Sequence, residues 1–143
     1  MPYEYLPDIA IADVAFKAWA ESLEELFVAA AEATMNVMVG DLDTIAEREM
    51  RSIQVQDDQL DMLLFQMLQE LIFFKDADRL LLRIKKIELR HQGNGYELSA
   101  EAYGEMLDPA RHDLVVDVKA VTLHHYRLEQ TEQGWEAEII LDV

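Results

Sequence analysis

The order in which hydrophobic periodicity changes along the chain constrains its fold more than any other feature of the sequence. Apolar residues recur with a period of two over 9–19 and with a helical period over 22–39. A second period-two segment covers 48–56, and a second helical one runs from 57 to about 74. Four strand patterns follow, over 80–91, 96–103, 114–128 and 135–143. This order predicts an α+β fold, a single domain over 1–143 with two helices packed on a largely antiparallel sheet.

Local signals support the ends of these elements. Ser22 begins the sequence S-L-E-E, in which Ser22 and Glu25 can form a capping box at the start of the first helix. Gly40 follows that helix at the position of a C-cap glycine. Asp57 and Asp58 precede the second helix and suit the partial positive charge of its N-terminus. The sequence Q-G-N-G at 92–95 predicts a hairpin turn.

Charge restricts the partners. The 143 residues include 12 basic and 29 acidic side chains, a net charge of −17, while 51% of residues are hydrophobic. Such a surface repels phosphate backbones and anionic membranes, so no direct nucleic-acid or membrane contact is expected, and a cation or a basic protein is favoured. No apolar run reaches the roughly 20 residues of a membrane helix. No secretory signal precedes the first strand, so a cytoplasmic location is expected.

Few catalytic motifs are available. The absence of cysteine excludes a disulfide framework, a thiolate zinc site and a cysteine nucleophile. The scattered glycines match neither phosphate-binding loop pattern, and H-E-x-x-H does not occur. Nothing in the pattern specifies an oligomeric state.

One predicted strand concentrates basic side chains, at Arg79, Arg83, Lys85, Lys86 and Arg90. Charged residues of this kind protect edge strands against aggregation. A binding patch for an acidic partner is the alternative interpretation.

Two carboxylates stand out against apolar neighbours. Asp13 lies in the middle of a predicted strand, where aspartate is disfavoured, and a buried carboxylate there needs a cation or several donors. An outward-facing position at a sheet edge is the alternative. Asp142 lies one residue before the terminal carboxylate of Val143, and two such groups favour a hard cation such as Ca²⁺ or Mg²⁺. A frayed, solvated terminus is the alternative there.

The remaining candidates lie in the later strands. His124 and His125 are adjacent, so in a regular strand they face opposite ways and cannot both line one site, which argues against a zinc site built from them and His112. Lys119 lies among valine and alanine and calls for a carboxylate partner, for which Glu105 is one candidate.

Short motifs are spread over essentially the whole chain: Y-E-Y-L at 3–6, A-D-V at 12–14, S-L-E-E-L-F at 22–27, G-E at 104–105, R-H at 111–112, V-K-A-V-T-L-H at 118–124, G-W at 134–135 and L-D-V at 141–143. In this combination the sequence resembles the archease family. The resemblance implies a small domain of the strand-helix-strand-strand type. It also implies an accessory role, without catalysis of its own, to RtcB-type RNA ligases in tRNA splicing and RNA repair, where archeases promote guanylylation of the ligase and multiple turnovers.

The resemblance further implies a divalent cation, most often calcium, with Mg²⁺ or Mn²⁺ as alternatives. Its ligands fall on Asp13, Asp142 and Val143, and Lys119 matches a lysine in a functional neighbourhood. Glu105 and His112 belong to matched motifs and are candidate partner-contacting residues. The family motif H-T-A-D reads A-I-A-D here, so Ala10 replaces its histidine, and Asp8 is a candidate replacement ligand.

Two other functions stay open on this basis. One is a chaperone-like module that uses its acidic face without a metal. The other is a small metal-dependent hydrolase with Asp13 and Asp142 as its carboxylate pair, which would require a pocket around them.

Overall fold

The computed structural model describes residues 2–7 and 13–143, and it confirms the predicted class: two helices packed on antiparallel sheets. The elements in chain order are β1 (Tyr3–Tyr5), β2 (Val14–Ala20), α1 (Leu23–Met38), a 3₁₀ turn (Leu42–Thr44), β3 (Glu49–Asp57), α2 (Leu60–Asp78), β4 (Leu80–Gln92), β5 (Gly95–Met106), β6 (Ala120–Thr131) and β7 (Gly134–Asp142). None of the helices in this described part is long and apolar enough to cross a membrane.

The strands form two sheets, a division that the sequence pattern did not predict. One sheet has four strands in the order β1-β2-β7-β6, and the other has three in the order β3-β5-β4. Both helices pack on strands of both sheets, so one hydrophobic core joins the two layers. Its largest fully buried side chains include Phe16, Phe27 and Leu71. Burial of these apolar surfaces is the main stabilising contribution to such a fold.

The start of α1 follows the capping prediction, and its end does not. The Ser22 hydroxyl accepts from the Glu25 N–H at 3.2 Å. Val39, in an extended conformation, is the C-cap, and Gly40 follows it at the predicted position but without the positive φ of a C-cap glycine. Instead the Gly40 N–H donates to the carbonyl of Asp113 at 2.8 Å, and a Cβ at position 40 would lie 2.4 Å from an Asp113 carboxylate oxygen. Glycine here permits the close approach of another segment.

The second helix ends about one turn later than predicted, and it begins at Leu60, after Asp57 and Asp58. It continues through Asp78 and ends at Arg79, whose φ of 58° is left-handed. The polar sequence K-D-A-D at 75–78 suggested an exit from the helix, but Lys75 is only 6% exposed and holds the last turn against the core. The stripe of buried side chains at Leu64, Leu68 and Leu71 therefore extends to Lys75 at helical spacing.

Two predicted strands begin later than expected. β6 starts at Ala120, while 114–119 carries only an isolated bridge between Val39 and Leu114. β2 starts at Val14, so Asp13 precedes the strand instead of lying in its middle. The rest of the predicted strand, over 9–12, lies outside the described residues. Strand β1 was not predicted.

Candidate functional site

The segments that carry the predicted metal ligands meet at one end of the four-stranded sheet. Val14 pairs with Leu141, so Asp13 and Asp142 are the next residues outward on the two antiparallel chains. On the other side of β7, Ala120 pairs with Asp142, and the Lys119 N–H donates to the Asp142 carbonyl at 2.8 Å. Three segments that are distant in sequence therefore converge on this end.

The charges at this end are not neutralised within the described part of the chain. There, neither Asp13 nor Asp142 forms an ion pair, and Lys119 forms none either. Asp142 and Lys119 are exposed, whereas Asp13 is half-buried. Like charges on neighbouring segments repel, so a bound cation would stabilise this arrangement.

Val143 is half-buried, and its side chain packs against the hydrophobic core. This packing, together with the backbone hydrogen bond on Asp142, fixes the main chain beside the aspartates and argues against the frayed alternative. Over residues 2–7 and 13–143, no group of three or more His, Cys, Asp or Glu side chains is arranged to hold a metal ion. Within this described part, a cation at this end would find at most two side-chain carboxylates, those of Asp13 and Asp142, besides main-chain oxygens.

Glu105 does not pair with Lys119, so that candidate partnership was wrong. Glu105 is only 4% exposed, and it accepts hydrogen bonds from the Ala46 N–H at 2.8 Å and from the Arg48 side chain at 3.1 Å. Arg111 donates to the same oxygen as Arg48, and His112 contacts the other oxygen at 2.9 Å. The buried carboxylate therefore connects the segment after β5, which carries Arg111 and His112, to the residues just before β3.

The protonation states of this cluster follow from its contacts. Burial alone would raise the pKa of Glu105, but the donors from Ala46, His112 and Arg111 outweigh it and lower the pKa to about 2. The Nδ1 atom of His112 accepts from the Asp108 N–H at 2.9 Å, so a neutral His112 carries its proton on Nε2 and donates it to Glu105. The structure thus brings Glu105 and His112 together as a structural pair, separate from the end that carries Asp142.

Lys75 is a positioning residue that the sequence analysis missed. Its ammonium group donates to the Val118 carbonyl at 2.8 Å and pairs with Asp76 and Asp117. Burial would lower the pKa of Lys75, but the hydrogen bonds that it donates to Asp117 and Asp76 raise the pKa, so the group stays charged. These contacts hold the main chain immediately before Lys119.

The two adjacent histidines depart from the regular-strand prediction. The register of β6 against β7 shifts between Thr122 and Arg127, and His125 has a φ of 54°. The rings of His124 and His125 consequently lie 4.3 Å apart between centroids. The prediction that the two histidine side chains face opposite ways was wrong because it assumed an unbroken strand.

The basic strand β4 is an edge of the three-stranded sheet. Its Arg83 pairs with Glu32 at 2.6 Å, and Lys85 pairs with Glu47 at 2.7 Å. Because these charges are used within the chain, the protected-edge interpretation is favoured over a basic binding patch.

Comparison with known proteins places this arrangement in a family. The Archease protein family model matches residues 3–143. The chain belongs to the archease family. Protein archease of Pyrococcus abyssi is 35% identical over 133 residues, covering 92% of this chain and 93% of that protein. Protein archease of Methanopyrus kandleri is 33% identical over 143 residues and covers both chains completely.

Solved structures agree with this archease assignment. The solution structure of a Methanobacterium thermoautotrophicum protein aligns with a TM-score of 0.85 at 29% identity, covering 99% of each chain. The crystal structure of a Thermotoga maritima protein described as an archease and possible chaperone aligns with a TM-score of 0.59 at 17% identity, covering 94% of this chain and 93% of that one. The second likeness concerns the fold alone.

Proposed function

We propose that this archease is a metal-binding accessory protein that activates an RtcB-type RNA ligase, promoting guanylylation and multiple turnovers in tRNA splicing or RNA repair. The observation that supports this proposal most is the register of β2, β6 and β7. It brings Asp13, Lys119 and the Asp142–Val143 end of the chain to one edge of the sheet. These are the positions that the family resemblance assigns to function.

The donor set suits a hard divalent cation. Asp13 and Asp142 supply carboxylates and Val143 supplies main-chain oxygen, which are ligand types that Ca²⁺, Mg²⁺ and Mn²⁺ prefer. Such a cation, when bound, would neutralise these carboxylates and attract phosphate oxygens of a partner-bound nucleotide. Ala10 replaces the family's histidine, and both it and Asp8 lie outside the described residues.

The chain's own residues would then orient the metal ligands and attract the partner. Packing of Val143 and the Lys119–Asp142 hydrogen bond hold the ligands in place, and the exposed ammonium of Lys119 adds a second attraction for phosphate. The net charge of −17 attracts a basic partner electrostatically, and this attraction weakens as the salt concentration rises. Catalysis belongs to the partner's active site, and RNA is not contacted directly. We place this activity in the cytoplasm, on a protein of one domain over 1–143.

A chaperone-like role without a metal is the second candidate, because the Thermotoga maritima relative is described as a possible chaperone and the acidic surface could serve alone. A hydrolase receives less support. A cleft of about 1170 Å³ in the described part of the chain is lined by neither Asp13 nor Asp142.

The function is tested by mixing the protein with its cognate ligase, GTP and Mn²⁺ and following covalent guanylylation of the ligase. We expect the parent protein to accelerate guanylylation and Asp13→Asn and Asp142→Asn to lose the acceleration. Glu132→Gln is the matched control, because it removes one charge from the exposed turn at the opposite end of the β6–β7 hairpin. An unchanged rate with the parent, or equal rates for all three variants, would overturn the proposal.

Titration calorimetry with Ca²⁺ and Mn²⁺ separates the two candidates. We expect the parent protein and Glu132→Gln to give a saturable heat of cation binding, and Asp142→Asn to give none. Absence of heat in the parent, with ligase activation intact, would favour the chaperone-like role.

A further inference from the structure

A large cleft lies away from the proposed metal ligands. It has a volume of about 1170 Å³ and runs between α1, the adjoining ends of β2 and β7, the 40–43 segment and β4. Small-molecule sites usually have volumes of about 300–1,000 Å³, so this cleft is large enough for a chain segment. It borders Trp19 and Ala20, at the far end of β2 from Asp13. The seven residues of that strand separate the two places by about 20 Å.

The floor of the cleft is apolar. Val28, Leu42, Ile87 and Trp135 line it, and each is half-buried against the hydrophobic core. Trp19 stands at its rim with 38% of its surface exposed. Half-exposed aliphatic and aromatic side chains of this kind provide contact area for an apolar or cationic side chain of a ligand.

The rim is strongly acidic. Seven carboxylates and one cation, Arg83, line the cleft. The Arg83 charge is already used, because its guanidinium pairs with Glu32 and Asp43. Glu21 and Glu24 form no ion pair within the described part of the chain, and both are exposed. The cleft therefore offers uncompensated negative charge above an apolar floor.

We propose that this cleft binds a basic segment of a partner protein in which Lys or Arg residues flank an aliphatic residue. The carboxylates complement the cationic heads, while the tryptophans and the floor accept aliphatic side chains and the stems of Lys and Arg. A small polyamine has methylene stems but no branched aliphatic side chain, so it cannot place one on the floor. The site does not depend on the proposed cation site, although one partner could reach both by spanning the length of β2.

The chain contains its own reporter for this site. Its two tryptophans, Trp19 and Trp135, both line the cleft, so occupancy changes the intrinsic fluorescence directly. The probe is a short synthetic peptide of Lys, Arg and Leu. A peptide of equal charge with Ser in place of Leu, and spermidine, serve as comparison ligands.

The double variant Glu21→Gln/Glu24→Gln removes two rim charges. The matched control Glu88→Gln/Glu132→Gln removes the same charge from exposed positions that do not line the cleft. Circular dichroism checks that both variants are folded. We expect the Leu-containing peptide to shift the tryptophan emission saturably. The rim variant should weaken binding about tenfold, as two exposed ion pairs would, and the control by about twofold or less.

Four results would overturn the proposal. Absence of an emission change with the Leu-containing peptide would show that the cleft does not bind it. Equal weakening in the rim variant and the control would show attraction to net charge alone. Binding of the Ser-containing peptide as tightly as the Leu-containing peptide would show that the floor does not select an aliphatic residue. Equally tight binding of spermidine would show that the cleft does not require a peptide.

Discussion

Glu105→Gln probes the buried cluster that joins the segment after β5 to the start of β3. The pKa of Glu105 is lowered from its usual 4.5 to about 2 by the donors around it. A depression of that size corresponds to about 3 kcal/mol of folding free energy at pH 7, because each unit is worth roughly 1.4 kcal/mol. The amide keeps the shape of the side chain, but it leaves Arg48 and Arg111 without a counter-charge. Its NH₂ group also faces N–H donors in either orientation: those of Ala46 and His112 at one oxygen position, or those of Arg48 and Arg111 at the other.

The stabilisation that Glu105 provides should decrease as the pH falls. A carboxylate with a depressed pKa contributes its full stabilisation above 4.5 and loses it as the pH falls toward 2. The difference between parent and variant should therefore be about 3 kcal/mol at pH 7 and about half of that at pH 3. In melting temperature the loss at pH 7 is about 10 °C.

Urea unfolding followed by circular dichroism at pH 7 and pH 3 measures both values. Glu97→Gln is the control, since this half-buried glutamate lies on the same strand and makes no ion pair in the described part of the chain. A Glu105→Gln loss below about 1 kcal/mol at pH 7 would refute the linkage reasoning. A loss of the same size at both pH values would refute it equally.

Three further substitutions test the packing. Gly104→Ala should lower the free energy of unfolding by about 3 kcal/mol, because the new Cβ would lie 1.7 Å from the backbone carbonyl oxygen of Leu81. An unchanged free energy in chemical unfolding would mean that β4 and β5 can separate freely. Lys75→Ala should speed amide hydrogen exchange at Val118 and Lys119, whereas unchanged exchange would show that this lysine does not hold the segment. Leu71→Ala removes a fully buried side chain and should lower the unfolding free energy by about 3 kcal/mol, with a loss under 1 kcal/mol arguing for a relaxed core.

Sequence reasoning succeeded where the signals are local. The first helix was predicted over 22–39 and spans Leu23–Met38, because the capping sequence at Ser22 and the apolar spacing act within a few turns. Strand β7 was predicted over 135–143 and spans Gly134–Asp142 for the same reason, since its alternation is complete within the strand.

It failed where distant residues decide the outcome. The segment 114–119 has strand-like composition, but Lys75 binds its main chain from a helix more than forty residues away, and it forms no ladder. The same contact extends α2 beyond the predicted end. Gly40 donates its backbone N–H to the Asp113 carbonyl, a contact that no local pattern reveals.

Part of the candidate site could be predicted from the sequence. Asp13 and Asp142 stood out as carboxylates in apolar surroundings, but only the pairing of Val14 with Leu141 brings their chain positions side by side. The cleft is a tertiary feature built from α1, two sheets and a turn, so its acidic residues looked like ordinary solvated surface. The register of strands and the division into two sheets depend on non-local pairing that periodicity does not specify.

The central claim is that a divalent cation binds where β2, β6 and β7 meet, and not diffusely over a surface of net charge −17. Paramagnetic broadening of backbone amide signals by substoichiometric Mn²⁺ tests it most directly, with Asp142→Asn as the control. The account predicts that the amides of Val14, Lys119 and Leu141 broaden first in the parent and lose this preference in the variant. Broadening that centres on Glu21 and Glu24 in the cleft, or that spreads evenly over the acidic residues, would contradict it.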